Sequence, residues 1–406
     1  MCLWRLLKKW WNMAFSAIIN NQTVTIPVPG AGTVYSWGFN NQGQVGNGTT
    51  VDQYTPYTIP AQWMKASASQ SCSIGIKSDG KIYTWGRNAL GQLGDGTTTQ
   101  QLSPQLVPDN IPTSFVNSGF SDVLSCVNFQ MALKTNGEIW SFGQGTIGQL
   151  GHGSAASSLV PVKVTGSGAG SFIFTQIGGG TNPNGAQGFA CGLTTLNEMY
   201  GWGDNGGGQF GVGFFGSNTT TPLLMPTLAQ TISKISCNGT SSFFLNAAGA
   251  LYGTGYNAYG QLGDNTLVNK NAFFLISSGP WIDIDAGEIT THLLDSSGAA
   301  FGSGRNISGQ IGDGTLVDKQ VYTAAVGGNF FTSIKGTCIL NNGVDGTEQS
   351  TAALTSGGQL FKWGYNLQGQ QGDGTSGAAV TSPASISAGW NQIYRMGQHT
   401  IAKKIP

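Results

Sequence analysis

The chain has 406 residues, 39% hydrophobic and 10% aromatic, so it can bury a core and its low charged fraction of 9% does not signal disorder. Its 18 Lys and Arg cancel its 18 Asp and Glu, leaving no global positive field to hold a polyanion, and nucleic acid is excluded as an expected partner. Glycine, at 64 residues, is interspersed with aromatic and β-branched residues rather than gathered in linkers, which points to many short strands joined by tight turns.

The chain opens on MCLWRLLKKWWNMAFSAII, which differs from everything after it. On a helical wheel Arg5, Lys8, Lys9, Asn12 and Ser16 form one polar stripe, while Leu3, Trp4, Leu7, Trp10, Trp11, Phe15 and Ile18 cover the remainder. The spacing predicts a basic amphipathic helix over residues 1–19, suited to a membrane surface or a partner's groove and too short and charged to span a bilayer. Met13 is an alternative start that would remove most of this helix. Residues 1–30 are read as a segment ahead of a single repeat domain, 31–406.

From residue 36 onward one pattern recurs seven times: SWGFNNQGQVGNGT, TWGRNALGQLGDGT, SFGQGTIGQLGHGS, GWGDNGGGQFGVGF, GTGYNAYGQLGDNT, GSGRNISGQIGDGT and KWGYNLQGQQGDGT. The glycine closing the first pair falls at Gly38, Gly86, Gly143, Gly203, Gly255, Gly304 and Gly364, at intervals of 48 to 60 residues. Inside the motif the spacing never varies, so Gln44, Gln92, Gln149, Gln209, Gln261, Gln310 and Gln370 each follow their glycine by six residues. Constant internal spacing with elastic intervals marks a rigid strand-turn-strand corner between variable loops, and variable loops are where a partner is read. Alternating stretches such as SIGIKSDGKIYTWG supply two further strands joined by an Asp-Gly or Asn-Gly turn. About four strands per period is one blade of a β-propeller, so the expectation is an all-β, seven-bladed ring. The seven glutamines are expected to bond backbone groups at their corners, because a buried carboxamide must find partners.

The C-terminal WNQIYRMGQHTIAKKI reads as the leading strands of a repeat, and GTVYSWGFNNQGQVGNGT near the start as trailing ones. Together they predict one shared blade that latches the ring and hides its free edges.

Six cysteines lie singly along the chain, with no zinc-like or disulfide-dense spacing, and are expected to be buried free thiols. His152, His292 and His399 assemble neither a metal trio nor a triad by spacing. Asp95, Asp264, Asp313 and Asp373 occupy turns where Asp caps its own backbone, too few ligands for calcium. No catalytic residue, metal or cofactor is assigned.

The repeated WGxNxxGQLGDGT resembles the repeat of the regulator of chromosome condensation family, over about residues 31–406. The resemblance implies a seven-bladed propeller. It also brings the founding member's activity, nucleotide exchange on a small GTPase, together with nucleosome docking through a basic tail and a loop wedge. Departures from the family are plain. The inner-strand His is replaced by Cys72, Phe129, Phe189, Ser241, Thr290 and Ser350 and survives only at His399, while the motif Trp becomes Phe142, Thr254 and Ser303 in three copies. No comparable basic tail is present.

The expectation is therefore a non-catalytic binding or assembly propeller, contacting a protein or glycan through uncharged polar loops. That loop texture suggests a virion, phage-tail or cell-surface recognition protein, with a cytoplasmic location as the alternative. Alternatives in function are a nucleotide exchange factor for a small GTPase and a proteinaceous enzyme inhibitor.

Overall fold

Antiparallel pairing organises nearly the whole chain. The computed structural model describes residues 30–168, 171–181, 188–337 and 348–405, preceded by two short strands, Ser16–Ile19 and Gln22–Thr25. Every regular element longer than a turn among the described residues is a strand. The stretch from 232 to 277 shows how one period folds: Ile232–Asn238, Ser241–Asn246, Leu251–Gly255 and Lys270–Ser277 pair in chain order as a four-stranded sheet. Between its second and third strands Asn246 closes the turn, its Oδ1 accepting the Ala248 and Ala250 amides while Gly249 takes a positive φ of 79°.

Five sheets are of this kind, and a sixth holds seven strands. Its order is Gln392–Ile393, His399–Lys404, Gly32–Gly38, Gln53–Ala68, Cys72–Lys77, Ile82–Gly86 and Gln101–Leu106. It contains two four-stranded sets that share the long strand Gln53–Ala68, which bends at Ala61, where φ is 103°. The first and last strands of the repeat region meet in this sheet, with His399 opposite Gly38 and Lys404 opposite Thr33.

The helix expected over residues 1–19 is corrected at its end. Ser16–Ile19 is a strand, and Ile19 pairs with Gln22, because β-branched residues at 18, 19 and 23–25 favour a pleated chain over a helix. The earlier part, with Trp4, Arg5, Lys8, Lys9, Trp10 and Trp11, lies outside the described residues.

The core forms between successive sheets. Leu124, Phe129 and Met131 of one sheet pack with Phe174, Ala190 and Trp202 of the next, and Trp37 and Ala402 pack with Ala352 and Leu360. Trp37, Trp85, Trp202 and Trp363 are wholly buried. All four of these indoles press on the glycine three residues beyond the Gly-Gln glycine of the preceding corner: a Cβ added at Gly46, Gly151 or Gly312 would lie 2.7 to 2.8 Å from Nε1 of Trp85, Trp202 or Trp363, and one at Gly372 would meet Nε1 of Trp37. Those glycines also hold positive φ, so two independent constraints exclude a side chain.

A pair of substitutions separates the two constraints. Gly314, with φ 82° and no neighbour closer than 4.0 Å, carries only the backbone one. Gly314→Ala is expected to cost about 1 kcal/mol, and Gly312→Ala about 2 kcal/mol more, because the indole must shift. Urea denaturation midpoints of the two variants check this.

Candidate functional site

The seven motif glutamines sit at seven separate corners and converge on no single site. At each, the carboxamide Oε1 accepts the amide N–H two residues earlier, at 2.8 to 3.2 Å. The glycines Gly38, Gly86, Gly143, Gly203, Gly255, Gly304 and Gly364 all take φ between 92° and 112°, which turns the strand into the corner. Sequence reasoning missed the residue that completes it. Asn40, Asn88, Asn205, Asn257, Asn306 and Asn366 are buried, and the Oδ1 of each accepts the amide five residues on at 2.9 to 3.0 Å. Its signal was plain, since it always lies four residues before the glutamine, except where Gly145 replaces it. The turn aspartates are locally satisfied: Asp95 Oδ1 accepts from the Thr97 amide and hydroxyl, and Asp264 and Asp313 pair with Lys270 and Lys319.

Corners also join sheet to sheet. The main-chain carbonyl of the glutamine accepts the indole N–H of the next repeat: Trp85 to Gln44 at 2.8 Å, Trp202 to Gln149 at 3.1 Å, Trp363 to Gln310 at 2.9 Å and Trp37 to Gln370 at 3.1 Å. Where the Trp is lost, Ser303 donates to the Gln261 carbonyl in its place, while the Gln209 carbonyl keeps only the bond from Ser242, whose counterparts Ser73 and Thr351 donate to Gln44 and Gln310 beside an indole. Phe142 brings no donor.

One expectation about isolated residues changes, that of free cysteines. Cys191 and Cys237 form a disulfide between neighbouring sheets, their Cα atoms 6.9 Å apart, whereas Cys72 and Cys126 are buried free thiols. A separation of 46 residues hid the pair, because only sheet stacking brings it together. His399 lies buried with Nε2 2.6 Å from the Ser73 hydroxyl, and desolvation, with the Lys362 charge added, pushes its pKa down to about 3.

Lys362 is the least expected buried group. Equivalent positions in the other repeats carry Ser36, Thr84, Ser141 and glycines, yet here a lysine with no exposed surface donates to the Gln370 carbonyl and the Thr400 hydroxyl. Burial pushes its pKa down to about 7, opposed by Asp373.

The chemically richest concavity is an axial well of about 270 Å³. It is lined from seven inner strand segments, by residues such as Lys65, Asp122, Gln176, Lys234, Asp285, Lys335 and Arg395. Strand register shows that Lys65, Asp122, Gln176, Lys234, Asp283, Ser333 and Gln392 are one repeated position, each facing the residue four beyond the lost or kept histidine. Neighbouring segments are ion-paired around it: Lys65 with Asp122 at 3.0 Å, Lys234 with Asp283, and Lys335 with Asp285 at 3.1 Å. Sequence reasoning missed these residues too. Lys65, Asp122, Lys234 and Asp283 each precede a motif glycine by 21 residues, a regularity hidden among apolar strands.

Comparison with known proteins agrees with this geometry. The family model described as the regulator of chromosome condensation (RCC1) repeat matches residues 31–76, 79–124 and 136–184. Residues 31–184 carry RCC1 repeats. Protein RCC2 homolog of Xenopus laevis is 29% identical over 142 residues, 35% of this chain and 26% of that protein. The Arabidopsis thaliana ultraviolet-B receptor UVR8 is 26% identical over 282 residues, 67% of this chain and 48% of the receptor. The aligned stretch thus spans about a quarter of the RCC2 protein. Among solved structures, human WBSCR16 superposes with a TM-score of 0.77 at 20% identity, covering 92% of this chain and 99% of that one. Prp20p of Saccharomyces cerevisiae gives 0.77 at 16% identity, covering 98% and 94%, and its structure was described with its binding to Gsp1p and histones. Similarity to RCC2 proteins corrects the expected virion or extracellular location, and the cytoplasmic alternative fits these relatives better. They lend no support to a phage-tail or host-recognition role.

Because the folded-state pKa of Lys362 lies below the unfolded value of 10.5, the unfolded chain holds the extra proton between about pH 7 and 10.5, and stability rises with pH across that window. Lys362→Met is expected to raise stability at pH 7 and to remove its share of that rise; urea midpoints at pH 7, 8.5 and 10 read both.

Proposed function

We propose that residues 31–406 form a non-catalytic, protein-docking propeller of seven blades, closed by its terminal strands, whose partner is an intracellular regulatory protein. The RCC1 repeats carry this reading, together with the fold-level likeness to Prp20p, a protein described with binding to Gsp1p and histones. Closure is supported by the Trp37 bond to Gln370 and by the Ala68 amide donating to the Arg395 carbonyl at 3.0 Å, which join the last repeat to the first. Relatives of this kind favour a nucleotide exchange or GTPase-binding role over an assembly role in a virion, and support a protein rather than a glycan partner. Since a fold hosts many functions, the partner must be identified at the loops of this chain.

Nucleotide release from a Gsp1p-type GTPase is the direct test. Acceleration at least tenfold over the intrinsic rate supports the exchange reading; no acceleration and no complex on a sizing column overturns it. Removal of residues 390–406 strips two strands from the shared sheet, and the truncated chain is expected to unfold or oligomerise. A stable monomer by light scattering would overturn the latch.

A further inference from the structure

We propose that the axial well binds a small oxyanion, a carboxylate or phosphate, between Lys234 and Lys335. The inner strands do not need charge there to hold together. Neutral side chains already satisfy amides across neighbouring sheets: Ser67 Oγ accepts from the Ser125 amide at 2.9 Å, Ser236 Oγ from Ala286 at 2.8 Å and Gln176 Oε1 from Ile235 at 3.1 Å. A partly buried ion pair adds little net stability over such contacts, so two lysines facing one cavity call for another explanation.

Donors and acceptors in the well are unevenly spent. Asp283 Oδ1 accepts from Lys234 and from the Ile284 amide, and Asp285 accepts from Lys335 on one oxygen and from the Gly336 amide, at 2.8 Å, on the other. Both carboxylates are therefore bound to backbone as well as to lysine. Each ammonium has three N–H groups. Lys234 uses one on Asp283, and Lys335 uses two, on Asp285 and the Ile334 carbonyl, which leaves N–H groups on both for a ligand. Arg395 reaches from the last inner segment to Asn238 Oδ1 at 2.7 Å and narrows the well. A cavity of about 270 Å³ holds a small oxyanion with some water.

The electrostatics agree. Lys234 is held down to about 7 by burial and by the neighbouring Lys335 charge, with Asp285 opposing. The other charges around it are Asp283, Arg395 and the Lys65–Asp122 pair. An anion restores the Lys234 charge, so its binding takes up a proton and weakens above pH 7, by up to about tenfold per unit.

Isothermal titration calorimetry of the full chain with sodium phosphate and with sodium citrate, against chloride of matched ionic strength, tests this without any protein partner and so independently of the docking reading. One-to-one binding of at least one oxyanion is expected, at least tenfold weaker at pH 8.5 than at 6.5. Lys234→Met and Lys335→Met should each weaken it at least tenfold, while Lys163→Met, on a strand at the far edge of its sheet from the well, leaves it unchanged. Absence of saturable heat with both anions overturns the proposal, as does full binding by both variants. Should the variants fail to fold, titration of the native chain in two buffers of different ionisation enthalpy decides: proton uptake on binding supports the proposal, and none overturns it.

Discussion

The hydrogen bond from an indole of one repeat to the glutamine carbonyl of the one before it is the joint on which the architecture turns. Sheets stacked face to face share no backbone ladder, so their relative position must be set by side chains. That carbonyl can serve only if its corner is rigid. Rigidity comes from three local devices: a glycine at positive φ, the glutamine Oε1 on the amide two residues back, and the asparagine Oδ1 on the amide five residues on. The glycine three residues beyond the Gly-Gln glycine then admits the indole, because nothing projects from it. At Ser303 a hydroxyl donates to the Gln261 carbonyl in place of the lost indole.

Along the axis a different chemistry takes over. Inner strands present edge amides that no fifth strand covers, and side chains from the neighbouring sheet satisfy several of them. Serine and glutamine suffice for this at three junctions, and charge appears only at some. The disulfide between Cys191 and Cys237 lies at the same level, Cys237 lining the well beside Ser236. Scaffold and candidate binding chemistry thus occupy different radii of the molecule: the corners hold the sheets together, and the axis carries the charge.

RCC1 repeats are shared with proteins of differing roles, from RCC2 homologues to an ultraviolet-B receptor, and the similarity in each case covers only part of the relative. What the repeats conserve is the corner, which is structural. From repeat to repeat of this chain the axial position changes, as Lys65, Asp122, Gln176 and Lys234 do.

All-β class, strand order, the corner and the meeting of the two termini were legible in the sequence because each depends on residues close together or on a fixed repeat. Gly38, Gln44 and their six counterparts could be named on spacing alone, and the asparagine could have been. The expected helix failed at residues 16–19 because a helical wheel does not weigh β-branching. Lys65, Asp122, Lys234 and Asp283 could be aligned by their distance to the motif glycine, but their convergence could not: those neighbours are brought together by stacking of sheets about 50 residues apart in sequence. The sequence by itself determined the repeat, because a corner is local. Only the tertiary structure decided that Lys234 and Lys335 line one well, that Cys191 meets Cys237 and that Lys362 is buried, because each depends on which sheet lies against which.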